Sequence, residues 1–313
     1  MSPVNPLATS VLINNYNYAE YVGEAIRSAV KQTLPPDQII VVDDGSTDDS
    51  LERIRQEFEH ESKIQILAQS NRGQLSAFHA AQEQATGELV FFLDSDDIYD
   101  SEYIERAVAF YSETRECDFL HCGVELFGNE SGIEMFCETN YDHGFTVIEA
   151  IESKHFRGGP TSTISMRRAI LNRILPLPLS LESEFRTRAD DCLVRGAGIV
   201  GAHKFFLAQP LVRYRVHDRN AFRGVKHSSH YDVARNYRKL RLIGAILARC
   251  QYHVSELLDF ILEEFNSSSN GRTLSDLERY QKIVRRSDRS MLWRIKMGRK
   301  LKLAYRRMQD RGN

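Results

Sequence analysis

The chain has 313 residues, 41 Lys and Arg against 43 Asp and Glu, 42% hydrophobic and 27% charged residues. That composition excludes collagen-like, low-complexity and disulfide-scaffold chains, and no run approaches the roughly 18–20 apolar residues of a membrane span. The net charge of −2 hides an asymmetry: residues 282–311 hold twelve Lys or Arg against Asp288 and Asp310, so an acidic body carries a basic tail. Cys117, Cys122, Cys137, Cys192 and Cys250 form no CxxC pair, which predicts reduced thiols. The opening MSPVNPLATS has neither the basic nor the apolar region of a secretory signal, so the expected setting is cytoplasmic.

Along the chain, SVLINNY (10–16) predicts a strand, and Asn17 with Glu20 resembles a capping box before a helical stripe of Val22, Ala25, Ile26, Ala29 and Val30. IIVVDDG (39–45) predicts a second strand, with Ser46 capping a helix whose inner face is Leu51, Ile54 and Phe58. Then come a strand (64–68), a helix (73–85), a strand (88–94) and a helix opened by Asp100 or Ser101. Further on, 118–127 and 211–217 predict strands and 146–153 a helix. Helical patterns fill 230–266, 273–286 and 290–310.

IIVV and LVFFL are continuous apolar runs, as in strands covered on both faces of a parallel sheet. Strand–helix repetition at this spacing predicts an open, mainly parallel α/β sheet flanked by helices, with a helical C-terminal extension. Ligands of such sheets sit beyond the carboxyl ends of the strands. The clusters Asp43–Asp44 and Asp94–Asp97 both fall there. Along an extended chain Asp94 and Asp96 share a face and Ser95 points away. Carboxylates this close repel one another unless a cation lies between them, and oxygen ligands on a rim suit Mn2+ or Mg2+. The plainer alternatives are a solvated acidic turn at Asp94–Asp97 and an ordinary strand–turn–helix junction at Asp43–Gly45. Neither GxGxxG nor GxxxxGK[ST] follows the strands at 39–45 and 88–94.

SVLINNYN, IIVVDDGSTDDS, NRGQLSAFHAAQEQATGELVFFLDSDD, RADDCLV and YRVH occur in the order and spacing of family 2 glycosyltransferases of the GT-A fold, which the chain resembles over about residues 9–220. The resemblance implies an inverting transferase moving a sugar from a nucleotide-diphospho-sugar, expected to be UDP-linked, to a saccharide or lipid-linked saccharide in polysaccharide or glycan biosynthesis. It places Thr9, Asn14, Tyr16, Asp43 and Asp44 around base and ribose, although the family usually has Pro-Thr where Asn14 and Asn15 stand. Gly73 and Gln74 would line the donor pocket, Gly73 permitting close backbone approach. Asp94 and Ser95 would lie on the donor, and Asp96, Asp97 and His217 on the metal. Asp191, beside Asp190, would take the proton from the acceptor hydroxyl. Thr161 and Ser162 would face sugar or phosphate, and Arg157 a phosphate. The expected domains are 1–220, with a nucleotide-sugar half about 1–100 and an acceptor half about 101–220, followed by a helical extension over 221–313.

In the tail, Trp293, Met297, Leu301, Tyr305 and Met308 form an apolar stripe among basic residues. It predicts peripheral membrane contact through 290–311 at the inner face of the membrane, or packing against the acidic catalytic domain or a partner subunit. No nucleic-acid reader motif accompanies the charge. A sugar-nucleotide nucleotidyltransferase would need a glycine-rich basic loop after the first strand, and INNYNYAEY has none. A non-catalytic scaffold would leave the acidic motifs unexplained.

Overall fold

The structure is a computed structural model describing residues 7–152, 156–220, 223, 225 and 228–312. Ser153, the last residue of the expected 146–153 helix, and Ala221, the expected start of the extension, lie outside the described residues. The first half alternates: β1 (Thr9–Asn15), α1 (Val22–Val30), β2 (Gln38–Asp43), α2 (Ser50–Phe58), β3 (Ile64–Ala68), α3 (Gln74–Gln84), β4 (Leu89–Asp94). The middle holds β5 (Ile98–Tyr99), α4 (Tyr103–Glu113), β6 (Phe119–Gly128), β7 (Gly132–Glu134), β8 (Tyr141–Gly144) and α5 (Val147–Glu152). A 3-10 turn (Thr161–Thr163) then leads to β9 (Ile164–Arg167), α6 (Arg168–Ile174), α7 (Leu179–Glu182), α8 (Ala189–Ile199) and β10 (Lys204–Val216). The last third is helical: α9 (Ser229–Cys250), α10 (Val254–Leu257), α11 (Ile261–Asn266), α12 (Leu274–Arg286) and α13 (Met291–Gly312).

The sheet runs β3-β2-β1-β4-β9-β6-β10-β5, with β7 on β6 and β8 on β10. β3, β2, β1 and β4 are parallel, whereas β9 is antiparallel to β4 and β6. The continuous apolar runs are buried on both faces. Ile40, Val42, Val90 and Phe92 point to one core, while Ile39, Val41, Leu89, Phe91 and Leu93 point to the other. α8 and the far half of α9 (Leu242, Ile243, Ile246) belong to the first of these cores. A third cluster joins α11, α12 and α13 to Ile148.

Two expected caps do not form. Asn17 takes φ +57 and its Oδ1 accepts from the Thr47 N–H at 2.7 Å, so α1 starts later, at Val22. Ser46 Oγ donates to Asp43 Oδ2 at 2.7 Å, closing the turn after β2, and α2 starts at Ser50. The 230–266 helix is broken after Cys250, where Gln251 takes φ +56. β10 begins seven residues before the expected strand at 211. The apolar stripe of α13 packs inward: Met297 and Leu301 are buried, with Trp293, Tyr305 and Met308 against the same cluster.

Candidate active site

Register gathers the strand ends. Asn14 lies opposite Asp94 and Asn15 opposite Asp43, so three carboxyl termini end on one line. Asp94 Oδ1 accepts from Gln74 Nε2 at 2.8 Å, and Gln74 Oε1 accepts from the Ala189 N–H at 2.9 Å. One amide thus joins β4, α3 and the first residue of α8. Burial, followed by the charges of Asp96 and Asp190, pushes the Asp94 carboxyl up to about 7.

The four residues after Leu93 divide by direction. Ser95 is buried. Asp96 Oδ2 meets His217 Nε2 at 3.0 Å. His217 Nδ1 accepts from the Arg219 N–H at 3.2 Å, so Nε2 carries the proton given to Asp96. Tyr18 and Tyr21 flank that imidazole at ring distances of 5.7 and 5.2 Å. Asp97 turns inward: it accepts from Ser162 Oγ at 2.6 Å and from the Arg215 N–H at 2.9 Å. Ser162 Oγ also accepts from the Asp94 N–H at 3.1 Å, making Ser162 and Asp97 the fastening of the loop. The structure therefore brings Asp94, Asp96 and His217 together and leaves Asp97 as a structural carboxyl.

Asp43 and Asp44 are buried and satisfied by the protein. Asp43 accepts from Asn15 Nδ2 at 2.8 Å and from the Ser46 hydroxyl and N–H. Asp44 accepts from Gln69 Nε2, the Arg72 N–H and the Gly73 N–H at 2.7 to 2.9 Å, so it holds the NRG loop in place. Gly73 has φ +96, and a Cβ there would lie 2.4 Å from the Arg186 Cα; the close approach it permits is by the chain's own loop before α8. Tyr16 stands exposed beyond β1, while the buried Asn14 Oδ1 has no hydrogen-bond partner among the described residues.

Two expectations are corrected. Thr9 starts β1 and its N–H donates to Asp37 at 2.8 Å, about 17 Å of strand away from Asn14, so it does not reach the rim. Arg157 is buried in ion pairs with Glu149 and Asp276 and holds α5 to α12, with no phosphate-facing side. Thr161 lies in the turn beside Asp94, where its side chain acts to lower the Asp94 pKa.

Asp190 and Asp191 open α8 behind Arg188, which takes φ +65, a left-handed conformation uncommon outside glycine. Arg188 Nε binds Asp190 Oδ1 at 3.1 Å and its guanidinium lies 3.8 Å from Asp191. Burial pushes the Asp190 carboxyl up against the pull of Arg188, and its charge reaches Asp94. Asp191 turns the other way, toward Arg235 of α9 at 3.6 Å, and is 1% exposed.

The fit to a divalent cation is chemical. Asp94 lies beside the carboxylates of Asp96 and Asp190, whose charges add to burial in raising it, the condition a hard cation relieves. Among the described residues no cluster of three His, Cys, Asp or Glu has ligand geometry. Of Asp94, Asp96 and Asp190, Asp96 is the carboxylate that would be best placed to hold such an ion. His217 presents a proton, not a lone pair, and so stands as the hydrogen-bond support of that carboxylate.

Tyr18, Tyr21, Arg215 and Asn220 escaped the sequence reading. Arg215 Nε donates to the Asp96 carbonyl at 2.8 Å, and the His217 N–H donates to Asn220 at 2.7 Å. The only trace of this box in the sequence is the tyrosine repeat in YNYAEY and the basic run around His217.

An open sheet of this order with acidic strand ends defines a GT-A fold, and solved structures agree. Staphylococcus aureus TarS residues 1–349 in complex with UDP-GlcNAc superposes with a TM-score of 0.61 at 21% identity, over 89% of this chain and 80% of that one. A mannosyltransferase from Pyrobaculum calidifontis in complex with GDP-Man and Mn2+ superposes at 0.51 with 18% identity, over 82% and 80%. The chain belongs to glycosyl transferase family 2, whose model matches residues 10–175. It is 34% identical over 218 residues to an uncharacterized glycosyltransferase of Nostoc sp. strain PCC 7120, covering 67% of this chain and 65% of that one. It is 32% identical over 122 residues, 39% of this chain, to the putative teichuronic acid biosynthesis glycosyltransferase TuaG of Bacillus subtilis. The chain spans 65% and 48% of the lengths of these two relatives.

Proposed function

We propose that the chain is an inverting glycosyltransferase taking a UDP-linked sugar to a hydroxyl of a saccharide or lipid-linked saccharide in polysaccharide or glycan biosynthesis. The observation carrying this is the convergence of Asn14, Asp94, Asp96 and Asp190 beyond parallel strands, where burial and the charges of Asp96 and Asp190 act together on Asp94. UDP-GlcNAc and GDP-Man with Mn2+ in the solved neighbours support a nucleotide-sugar donor and a divalent cation. Mn2+ or Mg2+ would be held by Asp96 with Asp94 beside it. When bound, it offsets charge building on the leaving diphosphate.

Asp191 takes the proton of the acceptor hydroxyl as that oxygen attacks the anomeric carbon. The anomeric C–O bond to the diphosphate breaks on the opposite face, giving inversion. Gln74 holds Asp94 and the start of α8 in one frame, and His217 orients Asp96. Asp191 is reached only when Arg235 moves off it, so acceptor entry involves α9. The catalytic unit is 1–220, and the extension over 221–313 closes it. On α13 the outward Lys296, Arg299, Lys300, Arg306 and Arg307, with exposed Met291, Leu292 and Ile295, form a basic amphipathic face that suits the anionic inner surface of a membrane.

Asp191→Asn should lose turnover at least a hundredfold while UDP affinity in the presence of Mn2+ stays within about threefold. Asp190 is the second reading, because its carboxyl faces the donor rim. If Asp191→Asn turns over normally and Asp190→Asn does not, the base is Asp190. If neither wild type nor variant binds or hydrolyses any UDP-, GDP- or dTDP-sugar, the transferase reading is lost.

A further inference from the structure

Beside Asp191, the start of α8, the segment before it and α9 line a small cavity with Phe185, Thr187, Arg188, Asp191, Tyr231, Arg235 and Arg238. Its volume, about 10 Å3, matches a single water, so as it stands it is a closed seam. The inner face of α9 reads Arg235, Arg238, Lys239, Leu242, Ile243 and Ile246: Arg235 and Arg238 line the cavity, Lys239 follows within reach of the charges of Asp191 and Arg235, and the aliphatics cover the core. Arg238 stacks over Tyr231 at 5.2 Å and donates to the Glu184 carbonyl at 3.0 Å. Burial pushes the Lys239 ammonium down to about 8, and Arg235, Arg195 and Arg188 press it the same way while Asp191 opposes them.

Cations crowded this closely repel; Asp190 pairs with Arg188, Asp191 with Arg235, and Glu184 with Arg241 further along α9. The excess positive charge lies where an acceptor must enter, since Arg235 covers the base. An anion arriving there would take Arg235 from Asp191, relieve Lys239 and uncover the carboxylate in one displacement. Arginine forks at such a site match the oxygens of phosphate better than a neutral sugar hydroxyl.

We propose that the acceptor is an anionic saccharide whose phosphate group is bound between α8 and α9 by Arg235, Arg238 and Lys239, next to the hydroxyl that reacts. This rests on Asp191 being the base and names the acceptor class for that reading. The phosphate belongs either to a diester within a phosphate-bridged glycan or to the diphosphate of a lipid-linked saccharide.

The test follows dimethyl phosphate, standing for the diester, and methyl diphosphate, standing for the lipid-linked head, by 31P line broadening, with UDP and diamagnetic Mg2+ present to occupy the donor side. Glucose, followed by proton saturation transfer, is the neutral control. Wild type, Lys239→Met and the double variant Arg238→Gln/Lys239→Met are compared. One of the two phosphates should bind wild type and weaken at least tenfold in the double variant and at least threefold in Lys239→Met, with affinity falling as salt rises. Whichever binds more tightly identifies the source. Equal binding to wild type and Lys239→Met, or binding of neither phosphate by wild type, overturns the proposal. Lys239→Met keeps it testable should the double variant not fold. UDP titrated separately onto the same proteins separates the two claims: loss of UDP binding by wild type counts against the donor reading, while the phosphate comparison, repeated without UDP, still decides the pocket.

Discussion

Gln74 shows how much rests on one side chain. Its amide donates to Asp94 and accepts from the first residue of α8, and only a group that does both fits between them. Gln74→Glu would keep the acceptor but set a second carboxylate against Asp94; Gln74→Ala would keep neither contact. Losing a hydrogen bond to a charged group costs about 1.5–3 kcal/mol. Either variant should therefore lower kcat/KM ten- to a hundredfold, and a value within twofold of wild type would show that the bridge has no catalytic consequence. The sequence singled out Gln74, Asp94, Asp96, Asp190 and Asp191 as types and positions. It did not tell the rim carboxyls from the fasteners. Asp97 and Asp44 carry the same chemistry as Asp96, and the donors beside them, Ser162 and the Arg215 N–H for one, Gln69 and the Arg72 and Gly73 N–H groups for the other, decide which way they face.

At the scale of elements, the buried parallel strands were legible because short β-branched and aromatic apolar runs, IIVV and LVFFL, alternate with amphipathic helical stretches. The break after Cys250 was not, because RCQYHVS contains neither Gly nor Pro and the left-handed turn falls on Gln251. The tail was half legible. The stripe of Met297 and Leu301 was visible, but whether it met a bilayer or its own protein depended on α11 and α12 offering a matching apolar face. Leu301→Ala, at a fully buried site, should cost about 2–4 kcal/mol in urea unfolding. Lys300→Glu/Arg306→Glu, on the opposite face, should leave stability unchanged and weaken sedimentation with anionic phospholipid vesicles at least fivefold. Vesicle binding equal to wild type would leave that face without a membrane role.

For the whole molecule, the catalytic body and the C-terminal helices are joined through buried charge. Arg157 and Arg279 meet Glu149 of α5 and Asp276 of α12. Burial works to raise the Asp276 carboxyl, yet Arg157 and the Thr273 hydrogen bonds outweigh it and hold the group well below the usual carboxylate range. A carboxyl depressed on folding stabilises the protein above its unfolded value, near 3.9, and that contribution fades as pH falls below it toward the folded value. The thermal midpoint of wild type should accordingly drop between pH 5 and 3 more steeply than that of Asp276→Asn, which should already be low at pH 7. Parallel curves would remove Asp276 from the account. The close seating of the 185–186 segment on Gly73 bears on protein engineering. Because the Gln74 N–H is tied to the Arg186 carbonyl at 2.9 Å and the Leu75 N–H to that of Phe185, the segments proposed above for the acceptor and donor sides are fastened to each other. Grafting a foreign 176–188 loop to change acceptor preference would disturb the donor side as well, unless residues 71–75 travel with it as one cassette.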